Sequence, residues 1–159
     1  MTSTVHVTGD ARPECIRPLR NVVASLARDE GLTDAQVYDV KLCVSEAITN
    51  AVKHAYPESE PGTVDVSVEE VGDMLAVVVA DHGHVRKKSW KEHGGFGLAW
   101  VERLTHGLTF TAASDGTTVE MLFLLPRTRE TPAPPVSARD AVRLSQDLSQ
   151  AWLLAAGSS

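Results

Sequence analysis

Cysteine is scarce in this chain. Cys15 and Cys43 are the only two, too few to staple a fold, and neither stands in a CxxC or Cys/His ligand spacing. Both fall in stretches of helical periodicity, so buried free thiols are expected. A basic excess is missing as well. Fifteen Lys and Arg stand against 21 Asp and Glu, for a net charge of −6. That is the wrong sign for a general nucleic-acid footprint, so no direct nucleic-acid partner is expected. No apolar run approaches the roughly 18 residues of a membrane span, and the N-terminus lacks the basic-then-apolar order of a secretory signal. The expected location is cytoplasmic, with no membrane partner. What remains is ordinary for a globular protein: 43% hydrophobic and 23% charged over 159 residues, enough for one domain with a real core.

Local patterns follow one another in a definite order. Thr4–Val7 alternates weakly, as a short edge strand would. From Glu14 to Arg28, residues Ile16, Leu19, Val22, Val23 and Leu26 recur at helical spacing, and Gly31 follows as a stop signal. Thr33 or Asp34 is placed to cap a second helix running to about Ala55. Tyr56–Gly62 has the composition of a loop. Val64, Val66 and Val68 alternate with polar residues like a half-buried strand. Gly72-Asp73 then turns the chain into Met74–Ala80, an apolar run suited to a central strand, which delivers Asp81 at its end.

Residues 82–95 show no period and are expected to form a loop. Phe96–His106, with Leu98, Val101 and Leu104, has helical spacing starting from a glycine cluster. Leu108–Ala112 and Thr118–Leu125 alternate around Ser114-Asp115-Gly116, which predicts a hairpin with a type I′ turn. Pro126 closes the compact part. The expected organisation is a domain over 1–126, a Pro-rich linker over 127–137 and a tail over 138–159. Val142, Leu144, Leu148, Trp152 and Leu153 give that tail an amphipathic helix.

The chemistry concentrates in the second helix. At about 100° per residue, Glu46, Asn50 and Lys53 fall within about 60° of one another, with Asp39 joining them N-terminally. Val37, Val40, Val44, Ala47, Ile48 and Ala51 gather on the opposite side. Such a stripe is also what the solvated face of any amphipathic helix looks like. The downstream residues weigh against that reading: Asp81-His-Gly83, Gly94-Gly-Phe-Gly-Leu98 and Gly116-Thr117. Each has a task if the ligand is a nucleotide. A carboxylate at a strand end, Asp81, can accept a hydrogen bond from adenine's exocyclic amine, with Gly83 letting the backbone approach the ring. Gly94, Gly95 and Gly97 at a helix start leave backbone N–H groups free for phosphate. Asn50 offers a neutral oxygen to Mg²⁺, Lys53 a point charge to phosphate, and Glu46 a proton acceptor for an attacking hydroxyl.

Glu46-Ala-Ile-Thr-Asn50-Ala-Val-Lys-His54, Asp81-His-Gly83, Gly95-Phe-Gly97-Leu98 and Gly116-Thr117 closely resemble the asparagine box and three glycine boxes of the Bergerat (GHKL) ATPases. Val44-Ser-Glu-Ala-Ile-Thr-Asn-Ala, with the following His-Ala-Tyr, resembles in particular the bacterial anti-sigma-factor serine/threonine kinases. The resemblance covers about Val5 to Pro126. It implies an α/β two-layer sandwich, a mixed and mostly antiparallel sheet with helices on one face. It implies ATP and Mg²⁺ as cofactors, with Glu46 as catalytic base and Asn50 as metal ligand. It further implies Lys53, Asp81, Gly83, Gly95, Gly97, Leu98 and Thr117 as nucleotide-binding residues. Implied partners are a sigma factor and a small antagonist protein that is phosphorylated, and the implied assembly is a homodimer.

Two departures from that pattern stand out. Val85 occupies a position where many relatives have a second glycine, and the short lid carries the basic run Arg86-Lys-Lys-Ser-Trp-Lys91. That run is either a solvated charge cluster or a lid whose cations meet phosphates on closure. His82, His84 and His93 crowd the same loop without a Cys or carboxylate at ligand spacing, which argues against zinc. The rival to a kinase is a non-catalytic ATP-binding module that sequesters a partner. Retention of Glu46 favours the kinase, because a pure binder needs no base.

Overall fold

The computed structural model describes residues 4–58, 60–84 and 96–126. Contacts divide the chain at Pro126. The expected linker and tail helix, residues 127–159, lie outside the described residues.

Alternation builds the sheet. In β2 (Thr63–Val71), Val64, Val66 and Val68 are buried, and in β3 (Met74–Asp81), Leu75, Val77 and Val79 take the same face. β5 (Gly116–Leu124) adds Val119, Met121 and Phe123, and β4 (Gly107–Ala113) packs Leu108 and Phe110 against them. With β1 (Val5–Asp10) the strands stand in the order β1-β2-β3-β5-β4, and all four pairings are antiparallel. The parallel pair that a mixed sheet would contain is absent among the described residues: hairpins supply two of the four pairings, and β1 against β2 and β3 against β5 are antiparallel as well. The register stacks residues in rows across the core face, such as Val68–Val77–Met121 and Val66–Val79–Val119.

Two helices cover that face. α1 (Pro13–Asp29) buries Leu19, Val23, Ala24 and Ala27. Ile16 and Leu26 pack half-buried against the same core, while Val22 stays 36% exposed. α2 (Asp34–His54) buries Val37, Val40, Val44, Ala47, Ile48 and Ala51, the whole apolar side read from the sequence. Thr33, not Asp34, caps it. The Gln36 N–H donates to the Thr33 hydroxyl at 3.3 Å, and the Thr33 N–H donates back to Gln36 Oε1 at 3.0 Å, a complete capping box. Both cysteines are free, Cys43 buried and Cys15 half-buried, and burial pushes the Cys43 thiol up to about 12. α3 (Phe96–Leu104) packs against α2 and β4.

The β4–β5 hairpin differs from expectation in its turn. Ala113 pairs with Gly116, so Ser114 and Asp115 form the two-residue loop. No described residue other than glycine has positive φ, which rules out a type I′ turn there. Gly116 does have a φ of 149°, and a Cβ on it would collide with the backbone of Asp81 and His82. The glycine is required by close approach to the end of β3, one residue past the position the turn would have needed.

Candidate active site

Burial of its apolar side fixes the roll of α2, which leaves Asp39, Glu46 and Asn50 half-buried and Lys53 exposed on the other side. Gly97, in the first turn of α3, backs onto Glu46: a Cβ there would overlap the Glu46 carboxylate. One residue of the glycine cluster is thus brought to the carboxylate proposed as base. Leu98 follows it in α3. Gly94, Gly95, Val85, His93 and the basic lid over 86–91 lie outside the described residues.

A second group of residues forms at the end of β3. Asp81 continues the stripe of Leu75, Val77 and Val79, so a carboxylate takes a place on the core face and is only 8% exposed. It pairs in register with Val64 on one side and Thr117 on the other. Its Oδ1 accepts from the Gly83 N–H at 3.1 Å and from the Thr117 N–H at 3.3 Å. Burial nonetheless holds its pKa above the ordinary value, with those two bonds pulling the other way. Among the described residues no lysine or arginine forms an ion pair with it. A carboxylate so placed can accept further hydrogen bonds.

Gly83 is constrained more strongly by the fold than its expected role requires. A Cβ there would overlap the carbonyl of Ala55 at the C-terminal end of α2. α2 therefore links the two groups. Glu46 meets Gly97 near its middle and Ala55 meets Gly83 at its end, nine residues or about 13 Å further along the axis. Asn50 and Lys53 lie on the polar side between the two ends.

Comparison with known proteins gives the family. Residues 9–123 match the model of the histidine kinase-like ATPase domain. The chain belongs to that family. Among its relatives is the serine-protein kinase RsbW of Bacillus licheniformis, 33% identical over 141 residues, which cover 79% of this chain and 88% of the relative. The protein of the same name from Oceanobacillus iheyensis is 31% identical over 110 residues, covering 59% and 70%. A crystal structure of the RsbU and RsbW domains of a Mycobacterium tuberculosis protein superposes with a TM-score of 0.63 at 25% identity. That match covers 79% of this chain and 33% of that one, so the chain spans a third of the length of the solved protein. Family membership carries with it the two-layer fold and the use of ATP.

Three residues of the site region escape sequence reasoning. The Tyr56 hydroxyl donates to the Thr63 carbonyl at 2.7 Å and accepts from the His82 N–H at 2.8 Å. The His82 ring meets Asp65 at 2.6 Å, and the Thr8 hydroxyl donates to the other Asp65 oxygen at 2.6 Å. The carboxylate partner sought for the loop histidines therefore exists, but on β2. The available signals were an aromatic closing the His-Ala-Tyr run and a lone carboxylate between Val64 and Val66.

Proposed function

We propose that this chain is an ATP-dependent serine/threonine protein kinase acting as an anti-sigma factor. It phosphorylates a small anti-sigma-factor antagonist and, in its other state, sequesters a sigma factor in the cytoplasm. The observation that carries the reading is the placement of a half-buried carboxylate, Glu46, against Gly97 at the start of α3. A second carboxylate, Asp81, buried and in no ion pair with a lysine or arginine among the described residues, lies two residues before Gly83, which meets the far end of α2. The names of the relatives support the kinase class.

In this reading Asp81 accepts from the adenine amine while the Gly83 and Thr117 N–H groups hold its other oxygen in place. Phosphates lie toward the N-terminus of α3, whose first-turn main-chain N–H groups are free to donate to them, with Gly97 leaving room for Glu46 beside them. Mg²⁺, when bound, neutralises phosphate charge, and Asn50 is the residue that would hold it, with few other protein ligands needed. Lys53 adds a cation at the exposed rim. Glu46 takes the proton from the hydroxyl of the antagonist's serine or threonine as that oxygen bonds to the terminal phosphorus. The bond from phosphorus to the bridging oxygen breaks, and ADP leaves with the electron pair.

The test separates binding from chemistry. Glu46→Gln keeps the length and the helix but removes the base, so ATP affinity should persist while transfer to the antagonist falls about 10²–10⁴-fold. Radiolabel transfer and calorimetry read the two quantities. A wild-type chain that binds ATP yet labels no antagonist recovered from cell extract would instead be the non-catalytic module. Recovery of an antagonist under one nucleotide and a sigma factor under the other identifies the partners.

A further inference from the structure

We infer that Tyr56 is a positioning residue of the nucleotide site: it sets adenine selectivity through Asp81 without touching the nucleotide. The inference rests on reading Asp81 as the adenine acceptor. His82 stands between Asp81 and Gly83, so whatever fixes the peptide of His82 fixes the direction of the acceptor. The Tyr56 hydroxyl does this on one side. It takes the His82 N–H at 2.8 Å and is itself anchored by donating to the Thr63 carbonyl at 2.7 Å, at the first residue of β2. Since Tyr56 lies just past the end of α2, one phenol ties that helix end, the start of β2 and the turn after β3 together.

Two features show that this arrangement is built in. Gly62 leaves the room the ring needs, because a Cβ there would overlap three of its carbons. From the other side, the His82 ring is held by Asp65, which Thr8 holds in turn. Asp65 and Thr8 are register partners on β2 and β1, so the turn is gripped through its side chain from the sheet and through its main chain by Tyr56. The His82–Tyr56 bond is near solvent, where water can replace the hydroxyl. Losing it should loosen the acceptor more than it destabilises the fold.

Tyr56→Phe in the full chain removes only the hydroxyl. Calorimetry with ATP and with inosine triphosphate, which carries an oxygen where adenine has its amine, gives the readout. We expect wild type to prefer ATP. Tyr56→Phe should lose roughly threefold to tenfold in ATP affinity with inosine triphosphate unchanged, the scale of one ordinary hydrogen bond. The KM for ATP should rise while kcat at saturating ATP holds. Gly62→Ala, which displaces the ring but keeps its hydroxyl, should narrow the preference in the same way. If either variant weakens both nucleotides equally, or neither, Tyr56 does not position the acceptor although Asp81 still reads adenine. If wild type itself shows no preference, the adenine assignment fails and the inference with it.

Discussion

Where the alternation of β3 would place another valine, the chain has Asp81, and the cost of that choice is measurable. Burial holds its pKa above the ordinary carboxylate value, so between that value and its folded pKa the native state binds more protons than the unfolded one. Stability from this group therefore falls as pH rises through that window, and at neutral pH the ionised side chain is a standing cost. Asp65 works in the opposite sense. Hydrogen bonds from Thr8 and His82 hold its pKa below the ordinary value, and its contribution is lost only as pH falls through the lowered one. Asp81→Asn can keep the acceptor for the Gly83 and Thr117 N–H groups while removing the charge. Its melting temperature at pH 7 should match or exceed wild type, and the gap should close in acid as wild-type Asp81 protonates. ATP affinity should fall by about 1–3 kcal/mol, because a pure acceptor becomes a group that also donates. A lowered melting temperature with unchanged ATP affinity would mark Asp81 as structural. The placement of Glu46 and Asn50 on the polar side of α2 and of Asp81 at the end of β3 was legible in the sequence, because helical and strand period carry it. Tyr56, Asp65 and His82 were not, since their bonds join positions 26, 17 and 57 apart, and spacing says nothing about such pairs.

Among the elements, α2 shows how a local signal can serve a distant site. Thr33 caps the helix 13 residues before Glu46, more than three turns away. Thr33→Ala removes the hydroxyl that the Gln36 N–H donates to, which should cost about 1 kcal/mol of stability. The core contacts that set the roll of α2 are untouched, so phosphate transfer at a temperature where the variant is folded should equal wild type. Thermal melting and radiolabel transfer together check this, and a loss of transfer without a loss of stability would contradict it. The elements themselves were legible because period and punctuation agreed: valines at every second position, glycines at turns, a cap before an apolar stripe. The turn type of the last hairpin was not. Gly116 answers a steric demand from Asp81, a neighbour 35 residues earlier in the chain, and a dipeptide signal contains no trace of that neighbour.

At the scale of the whole molecule, β1 is an edge of the sheet, and its outer backbone groups have no strand partner among the described residues. Such an edge is a template for association unless something covers it. Val5 and Val7 are only half-buried, α1 packs over β1 and β2, and Val22 on α1 keeps over a third of its surface exposed. β4, the opposite edge, presents Leu108 and Phe110 on the same face, also half-buried, but has no helix beside it with an exposed valine such as Val22 among the described residues. We propose a symmetric dimer through β1 and α1, with the same patch facing itself across a two-fold axis. The other candidate is the run of apolar residues that the sequence places over 138–155, and truncation after Pro126 separates the two. Light scattering should find the truncated chain still dimeric, and Val22→Glu in that chain should shift it to monomer with its circular dichroism unchanged. A truncated chain that is monomeric without further substitution would move the interface to the tail.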